Sequence, residues 1–589
     1  MESARGLAHS KNWRMLDGAM PTSTLTPWFL AAAACLGGGS ADGAEANEPV
    51  TPGRSVVASR YGIVASSQPL AAAAGVRILD LGGNAMDAAI ATNAVVGVTE
   101  PTSNGIGGDL FALVYEAKSQ RVCALNASGW AATGLTPEFL AQHGQRAMPS
   151  HGIYAVTVPG CVAGWAALRE KFGTLPLSTL LAPAIRTAEE GFPLAEITAG
   201  HWRASQNFLR ENAESARTYL PGGQAPRAGE IFKNPALAKS LRRIAEKGAA
   251  GFYEGETAEA ILAVSREHGG TFTAADLSEF HAEWTDPIST TYRGWRVYEV
   301  GPNTQGIAAL IMLNLMERFP MREWGLHSAD ALHTMIEAKK LAYADMLAKV
   351  GDPRFSKVPV TPLLEKDRAA KRAQLIDPKH ASPKVEPDQL DGVTNSKGTD
   401  TIYLTVVDKD GNIVSLIQSN YQGFGSGLVP AGCGFMLHNR GALFTLQPGQ
   451  PNTLAPRKRP LHTIIPAFME KDGVRIGFGI MGGWNQAQAH AQFVSDIADH
   501  GLTIQQALEV GRFTKPTFDG VDVDIEERVP AAARAALTER GHVLKVYGGR
   551  PSIFGYGQAV MTTPAGVQFG ASDPRHDGAA IPQTVPVEK

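Results

Sequence analysis

The chain has 589 residues, of which 44% are hydrophobic and 19% are charged, a composition typical of a globular protein with a large core. Its formal net charge of −3 at pH 7 gives no electrostatic basis for binding nucleic acid or an anionic membrane surface. The cysteines have no C-x-x-C spacing and indicate neither a metal site nor a redox pair. We expect Cys35 to leave with the N-terminal segment or to be modified, and Cys123, Cys161 and Cys433 to be buried free thiols, with one disulfide as the alternative.

Residues 1–46 have the features of a targeting segment. Basic residues precede a short apolar run over residues 25–36, and Ala44-Glu45-Ala46 resembles a cleavage site. The segment predicts export to the periplasm or the outside of the cell. A lipoprotein modified at Cys35 and a plain disordered tail are the alternatives. Neither this run nor any later stretch is long and apolar enough to cross a bilayer.

The region after this segment alternates strands and helices. The pattern predicts a strand over 62–66, Ala-rich helices over 68–80 and 84–98, and strands over 110–115 and 121–126, with Asn84 capping the second helix. A Gly-rich turn, 104–109, leads from helix to strand. A dinucleotide-binding fingerprint needs the opposite order, strand before helix, so a nucleotide cofactor is not expected.

The next region is mainly helical. Helices are predicted over 162–172, 177–191, 235–247, 258–268, 306–316 and 328–350, with a strand over 293–298. His333 and Glu337 lie one turn apart on the last helix and could share a metal ion. Because no third ligand is evident nearby in the sequence, we favour a packed or solvated pair and predict no metal site.

A polar segment of the chain is then followed by a segment rich in β-branched residues. Residues 351–398 are rich in Pro, Lys and Asp without a sustained period, which predicts a long exposed loop. The runs 401–408 and 413–417 flank a Lys-Asp-Gly-Asn turn and predict a hairpin. Further strands are predicted over 413–418, 435–437, 464–468, 475–478, 543–547, 558–562 and 567–570, and helices over 486–500 and 504–510.

The boundary between loop and hairpin has a chemical use. Cleavage between Asp400 and Thr401 would give Thr401 a free α-amine beside its own hydroxyl. An α-amine titrates near pH ~7.7–8.0, so its neutral form could take the proton from the hydroxyl nucleophile. Taken alone, the pattern also fits a Thr that merely opens a strand.

Short blocks along the chain carry a stronger indication: 82–89, 100–101, 105–108, 156–160, 343–345, 401–412, 424–427, 458–461, 481–483 and 570–575. In this order they closely resemble the γ-glutamyltranspeptidase (glutathione hydrolase) family, over roughly residues 60–578. That family belongs to the N-terminal-nucleophile hydrolases, whose precursors cut themselves in two. The resemblance implies the α+β class, as a four-layer αββα sandwich with a helical part from the large subunit, and no cofactor.

The resemblance also implies roles for five residues. Thr401 would be the nucleophile, and the Asp400 carbonyl the group it attacks during self-cleavage. Gly482 and Gly483 match paired glycines whose N–H groups stabilise the oxyanion, a role that suits glycine because no Cβ keeps the backbone from the substrate. Ser419 matches a hydroxyl residue near the amine of the nucleophile.

The departures from the family pattern concern the part that holds the amino-acid end of glutamate. Ser128 replaces an Arg, Tyr421 an Asn, Leu443 an acidic residue, and His462-Thr463 a pair of Ser. A substrate α-ammonium facing Leu443 and Arg440 would lack charged hydrogen bonds worth ~1.5–3 kcal/mol each. Arg440 and His462 could instead hold a different carboxylate, as an acylase for dicarboxylic acyl groups requires. A surface ion pair of Arg440 and a structural hydrogen bond of His462 are the alternatives.

Three functions stay open on this reasoning. The first is a γ-glutamyl transferase or hydrolase acting on amides such as glutathione. The second is a related acylase for another acyl amide, like the cephalosporin acylases, and the third is an unprocessed, inactive relative. The enzyme hypotheses divide the chain into a signal segment (1–46), a large subunit (47–400) and a small subunit (401–589), and the two subunits would form one interleaved domain after self-cleavage. Their partners would be a small-molecule amide and the other subunit, and a homodimer of such heterodimers is left open.

Overall fold

The computed structural model describes residues 52–385 and 400–585. The predicted signal segment and residues 386–399, which include the last part of the predicted loop, lie outside the described residues. Within them, no helix has both the length and the apolar character that crossing a membrane requires.

The strands number nineteen in the described chain: β1 Val57–Ser59, β2 Gly62–Ser66, β3 Asp109–Glu116, β4 Arg121–Ala127, β5 Phe192–Pro193, β6 Ile231–Phe232, β7 Glu283–Thr285, β8 Ile288–Tyr292, β9 Trp295–Glu299, β10 Asp400–Asp408, β11 Ile413–Tyr421, β12 Ala467–Lys471, β13 Val474–Ile480, β14 Phe513–Thr514, β15 Asp522–Glu526, β16 Val543–Tyr547, β17 Gly557–Thr562, β18 Gln568–Ser572 and β19 Ala579–Pro582.

The α-helices of the described chain are α1 Pro69–Asp80, α2 Ala85–Thr99, α3 Pro137–Gln142, α4 Cys161–Phe172, α5 Leu177–Glu190, α6 Glu196–Ala204, α7 Gln206–Leu209, α8 Ala213–Tyr219, α9 Pro235–Lys247, α10 Ala250–Tyr253, α11 Gly255–Glu267, α12 Ala274–Ser278, α13 Gly306–Met316, α14 Met321–Trp324, α15 Ala329–Lys349, α16 Val360–Leu364, α17 Lys366–Ala373, α18 Gln486–Ala498, α19 Ile504–Glu509 and α20 Ala531–Glu539.

Two seven-stranded sheets form the centre of the fold. The first has the order β19-β2-β10-β11-β3-β4-β7, and the second has the order β1-β18-β17-β13-β12-β9-β8. A hydrophobic cluster containing Tyr403 and Ile417 of the first sheet and Phe468 and Val560 of the second lies between them. Two larger clusters join the outer faces of the sheets to helices. The predicted αββα sandwich of the α+β class is confirmed.

The hairpin β10–β11 crosses the middle of the first sheet, and its side chains alternate between the two faces. Leu404 and Leu416 pack with the helices, whereas Tyr403 and Ile417 face the second sheet. By the same period of two, Thr401 and Ser419 also face the second sheet, inside the sandwich. The register shifts between Asp400 and Ile402, which loosens the pairing at this end of β10.

Helix α2 begins as the sequence predicts. The Asn84 side chain accepts from the N–H of Asp87, and the Asp87 side chain accepts from the N–H of Asn84, so the two form a capping box. The helix is buried on nearly all sides and packs behind β10. It therefore supports the strand that carries Thr401.

Two predictions of secondary structure are wrong. The predicted exposed loop contains α16 and α17, and α17 packs because Arg368 and Arg372 form ion pairs with Asp345 of α15 at 2.9 and 3.0 Å while Ala369 is buried. The predicted strand over residues 435–437 is buried but forms no strand. Its apolar residues pack in the hydrophobic core, and composition alone does not distinguish a buried irregular segment from a buried strand.

Candidate active site

Thr401 lies at the loosened end of β10 and is 2% exposed. Its hydroxyl donates a hydrogen bond of 3.0 Å to the Ser419 hydroxyl, which also accepts from the N–H of Tyr421 at 2.8 Å. The hydroxyl of Tyr556 donates to the Thr401 carbonyl at 3.2 Å. The structure therefore brings Thr401, Ser419 and Tyr421 together and fixes the orientation of Thr401 from both sides.

The tandem glycines lie just after β13, from which Met481 alone separates them. Gly482 and Gly483 have φ angles of +133° and +57°, in the region that favours glycine. The N–H of Met481, just before them, donates to the Tyr556 carbonyl at 3.1 Å. Since the Tyr556 side chain binds Thr401, this one residue connects the glycine turn to the Thr401 backbone.

The peptide units of this turn have fixed orientations. A Cβ built on Gly555 would lie 2.0 Å from the Met481 carbonyl oxygen, so that carbonyl lies against Gly555. The Gly482 carbonyl accepts from the N–H of Asn485 at 2.9 Å. In a trans peptide the N–H points opposite to the carbonyl, so the N–H groups of Gly482 and Gly483 point away from these contacts. Neither N–H donates a hydrogen bond among the described residues. Two adjacent free N–H groups are able to stabilise an oxyanion.

A second group of predicted residues surrounds a carboxylate that the sequence analysis missed. Asp109 is fully buried, and its carboxylate lies 2.7 Å from Nε2 of His462 and 3.2 Å from Nδ1 of His438. Nε of Arg440 is 3.8 Å from the same oxygen, and Nη1 of Arg440 donates to the Thr463 hydroxyl at 2.7 Å. The structure thus brings Arg440, His462 and Thr463 into one buried cluster.

The charges in this Asp109 cluster are set by burial and by neighbours. Burial alone would raise the pKa of the Asp109 carboxyl, but His438 and His462 outweigh it and hold that pKa well below its usual range. Burial, and then the charge of Arg440, lower the pKa of His462 to about 3, so His462 donates to Asp109 as a neutral ring. Burial lowers the pKa of Arg440 to about 10, which leaves it a cation at neutral pH.

Arg440 connects this cluster to Thr401. Its guanidinium stacks on the ring of Tyr421 at 4.5 Å, and Tyr421 is joined to Thr401 through Ser419. Nε and Nη2 of Arg440 make no hydrogen bond among the described residues. Tyr421 has a φ of +79°, an uncommon conformation for a residue with a side chain, of the kind that clusters at functional sites. A buried cation with unused donors is a natural site for an anionic ligand.

Ser128 directly precedes Gly129, and Leu443 ends the 3₁₀-helix that Arg440 begins. Ser128 is buried, and its hydroxyl donates to Asn126 at 2.7 Å and accepts from Asn303 at 3.3 Å. Its contact with the Asp109 cluster runs through the next residue, Gly129, whose N–H donates to Asp109 at 2.9 Å. Leu443 is half-buried. Neither residue supplies a charge.

Asp109, His438, Tyr556 and Gly555 escaped the sequence analysis. Asp109 directly follows the glycine block 105–108, and a carboxylate at the start of a buried strand was an available clue. The other three have no local clue, because their partners are distant in sequence.

The pair His333 and Glu337 has a third neighbour after all. His542 lies on a segment distant in sequence, and its Nε2 is 2.8 Å from Nδ1 of His333. The prediction that no third possible metal ligand lies near the pair is therefore wrong in the folded structure. Nζ of Lys340, however, lies 2.6 Å from the Glu337 carboxylate, and an ammonium at that distance opposes binding of a metal cation. A packed polar group stays the better interpretation.

Comparison with known proteins agrees with this geometry. The family model described as Gamma-glutamyltranspeptidase matches residues 71–583. The glutathione hydrolase-like YwrD proenzyme of Bacillus subtilis is 36% identical, over 90% of this chain and 99% of its own length. The oxamate amidohydrolase proenzyme of Klebsiella pneumoniae is 35% identical, over 89% and 98% of the two chains. The crystal structure of cephalosporin acylase from Bacillus halodurans has a TM-score of 0.84 at 42% identity, over 91% and 98%.

Proposed function

The chain belongs to the gamma-glutamyltranspeptidase family, and on this basis we propose that it is a self-processing amidohydrolase with Thr401 as its nucleophile. Both relatives described above as hydrolases are proenzymes, which supports cleavage into a large subunit (47–400) and a small subunit (401–589). Export directed by residues 1–46 is part of the same proposal and rests on the sequence alone.

Self-cleavage uses the same hydroxyl as catalysis. The Thr401 oxygen attacks the carbonyl carbon of Asp400, and the acyl group moves from the Thr401 nitrogen to its oxygen. Water hydrolyses the resulting ester, which leaves a carboxylate on Asp400 and a free α-amine on Thr401. That amine, with a pKa near ~7.7–8.0, is partly neutral at physiological pH and takes the hydroxyl proton in later turnovers.

In each turnover, Thr401 adds to the carbonyl of the substrate amide. The negative charge on the carbonyl oxygen would be held by the N–H groups of Gly482 and Gly483, one of which is typically worth ~2.7–4 kcal/mol in acyl transfer. The amine leaves with the proton taken from Thr401, and water or an acceptor amine opens the acyl-enzyme. The observation that carries this proposal is the pair of free, oriented N–H groups that Tyr556 connects to Thr401.

We propose further that the acyl group carries a carboxylate and no α-ammonium. Support comes from the buried Arg440 guanidinium, whose Nε and Nη2 have no acceptor among the described residues and which stacks on the neighbour of the Thr401–Ser419 pair. The 35%-identical relative is named for oxamate, itself the monoamide of a dicarboxylic acid. His462 and Asp109 would hold Arg440 in place, and Tyr421, Thr463 and Ser128 would shape the rest of the pocket.

A γ-glutamyl group, as in glutathione, is the second candidate. The family model and the name of the 36%-identical relative favour it. Its α-ammonium would meet the Arg440 cation and the apolar Leu443, where like charges repel and a charged hydrogen bond is lost.

Two measurements test these proposals separately. Thr401→Ala should stay a single chain, and a variant that still splits before residue 401 would refute the nucleophile. Glutaryl-p-nitroanilide and γ-glutamyl-p-nitroanilide differ only by the α-ammonium. Faster hydrolysis of the glutaryl compound is expected, and faster hydrolysis of the γ-glutamyl compound would refute the proposed acyl group while leaving the nucleophile intact.

A further inference from the structure

A buried acid–histidine pair lies behind the glycine turn. Nδ1 of His490, on α18, is 2.8 Å from a carboxyl oxygen of Glu299 at the end of β9, and burial raises the pKa of Glu299 well above its usual range. The N–H of Ile480 donates to Nε2 of His490 at 3.0 Å. Because a backbone N–H only donates, Nε2 must be the acceptor, so Nδ1 carries the proton and donates to Glu299. Both side chains are buried.

The hydrogen bond between Ile480 and His490 lies at the last residue of β13, where one of the two neighbouring strands no longer pairs with it. On one edge, β13 pairs with β17 through to its last residue, where Ile480 lies opposite Gly557. On the other edge, the pairing with β12 stops at Ala467 opposite Phe478, two residues earlier. His490 therefore supplies the acceptor that a longer β12 would have supplied. Ile480 is two residues before Gly482, so this contact is the last one on that edge before the turn.

The surroundings of His490 and Glu299 fix the orientation and the protonation state of the histidine ring. The ring of Phe478 packs edge-on against His490 at 5.3 Å. Burial, and then the charge of Arg512, lower the pKa of His490 to about 3, which keeps Nε2 free to accept at neutral pH. Glu299 uses one oxygen for His490, and its other oxygen has no hydrogen bond among the described residues. Among the described residues, the Glu299 side chain therefore has His490 as its hydrogen-bond partner.

We infer that His490, oriented by Glu299, is a positioning residue that aims the N–H of Gly482 at the reacting carbonyl. This inference rests on the proposed function, because it presumes that Gly482 and Gly483 hold an oxyanion. His490 touches no reacting atom and acts through the end of β13. A displacement of about 1 Å at a catalytic group can cost about 100-fold in rate, so kcat should depend on His490 while KM does not.

The experiment uses the full chain and whichever p-nitroanilide the wild type hydrolyses. His490→Leu removes the acceptor for Ile480 and is expected to lower kcat about 100-fold with KM within about threefold of the wild type. His490→Gln keeps an acceptor for Ile480 and a donor for Glu299, and it should recover most of kcat. His542→Leu removes an equally buried histidine elsewhere, and it should reduce stability without changing kcat.

Glu299 provides a second route if His490→Leu does not fold. Glu299→Leu frees the ring of His490 and should lower kcat about tenfold at constant KM, whereas Glu299→Gln keeps the acceptor and should not. Folded His490→Leu and Glu299→Leu proteins with wild-type kcat would overturn the inference, as would equal losses in the Leu and Gln variants. Failure of the proposed function would appear in the wild type itself, as an uncut chain or as cleavage that survives Thr401→Ala.

Discussion

Arg440→Leu separates the acyl-group proposal from the general chemistry of the site. The side chain is fully buried, holds Thr463 at 2.7 Å and stacks on Tyr421. Leucine fills part of the same volume and removes the charge. If Arg440 binds the substrate carboxylate, the variant should lose activity only on substrates whose acyl group carries a carboxylate.

The size of the loss follows from the donors that Arg440 has available. Nε and Nη2 make no hydrogen bond among the described residues. A hydrogen bond to a charged group contributes about 1.5–3 kcal/mol, so two of them contribute about 3–6 kcal/mol. At about 1.4 kcal/mol for each factor of ten, kcat/KM for a carboxylate-bearing acyl group should fall by about 10²–10⁴.

The assay compares glutaryl-p-nitroanilide with butyryl-p-nitroanilide, which lacks the carboxylate. The expected result is a large loss of kcat/KM on the first and little change on the second. Arg459→Leu is the matched control, because Arg459 is also buried but donates to the Ser128 carbonyl and pairs with Glu283. It should lower both activities alike. Equal losses on both substrates in Arg440→Leu would refute the carboxylate site.

Three further changes test other parts of the structure. Gly555→Ala places a Cβ 2.0 Å from the Met481 carbonyl at a φ of +73°, which should turn the Gly482 N–H and lower kcat about 100-fold in steady-state kinetics; an unchanged kcat would contradict the fixed turn. Burial and then His333 lower the pKa of His542 in the folded protein to about 3. In the unfolded chain the same imidazole has a pKa near ~6.5 and binds a proton that the folded protein does not. The free energy of unfolding therefore falls as the pH drops from about 6.5 toward 3. In urea unfolding, His542→Gln should therefore lose less stability than the wild type between pH 7 and pH 5, and equal losses would refute the pKa shift. Asn84→Ala breaks the capping box and should cost about 1 kcal/mol of stability with kcat unchanged; a selective loss of kcat would show that α2 does more than support β10.

The elements that local chemistry determines were predictable from the sequence. Helix α2 has both a capping residue and a helix-forming interior, and β10–β11 has β-branched runs around a Gly-containing turn. Helices α16 and α17 were missed because tertiary contacts stabilise them. Arg368 and Arg372 meet Asp345 on α15, and the order in which their residues occur does not reveal that pairing.

In the candidate site, too, the residues within recognisable motifs were predictable, and those brought together by tertiary contacts were not. The family resemblance predicted roles for Thr401, Gly482, Gly483 and Ser419, and the structure brings Thr401 into contact with Ser419. The Asp109 cluster could not be derived in this way, since His462 is 353 residues from Asp109 in the chain. The sequence did indicate that the residues with which the family holds the amino-acid end of glutamate are replaced here, and the structure shows that Arg440 is buried. Its role in binding a carboxylate stays a proposal.

The most direct test of the N-terminal threonine is the intact mass of the purified protein, measured beside its activity. Active wild-type protein should contain a chain of residues 401–589 that begins with Thr401, together with a separate large subunit that ends at Asp400. Thr401→Ala should give one uncut, inactive chain. Full activity in a polypeptide that is unbroken before residue 401 would contradict the proposed chemistry.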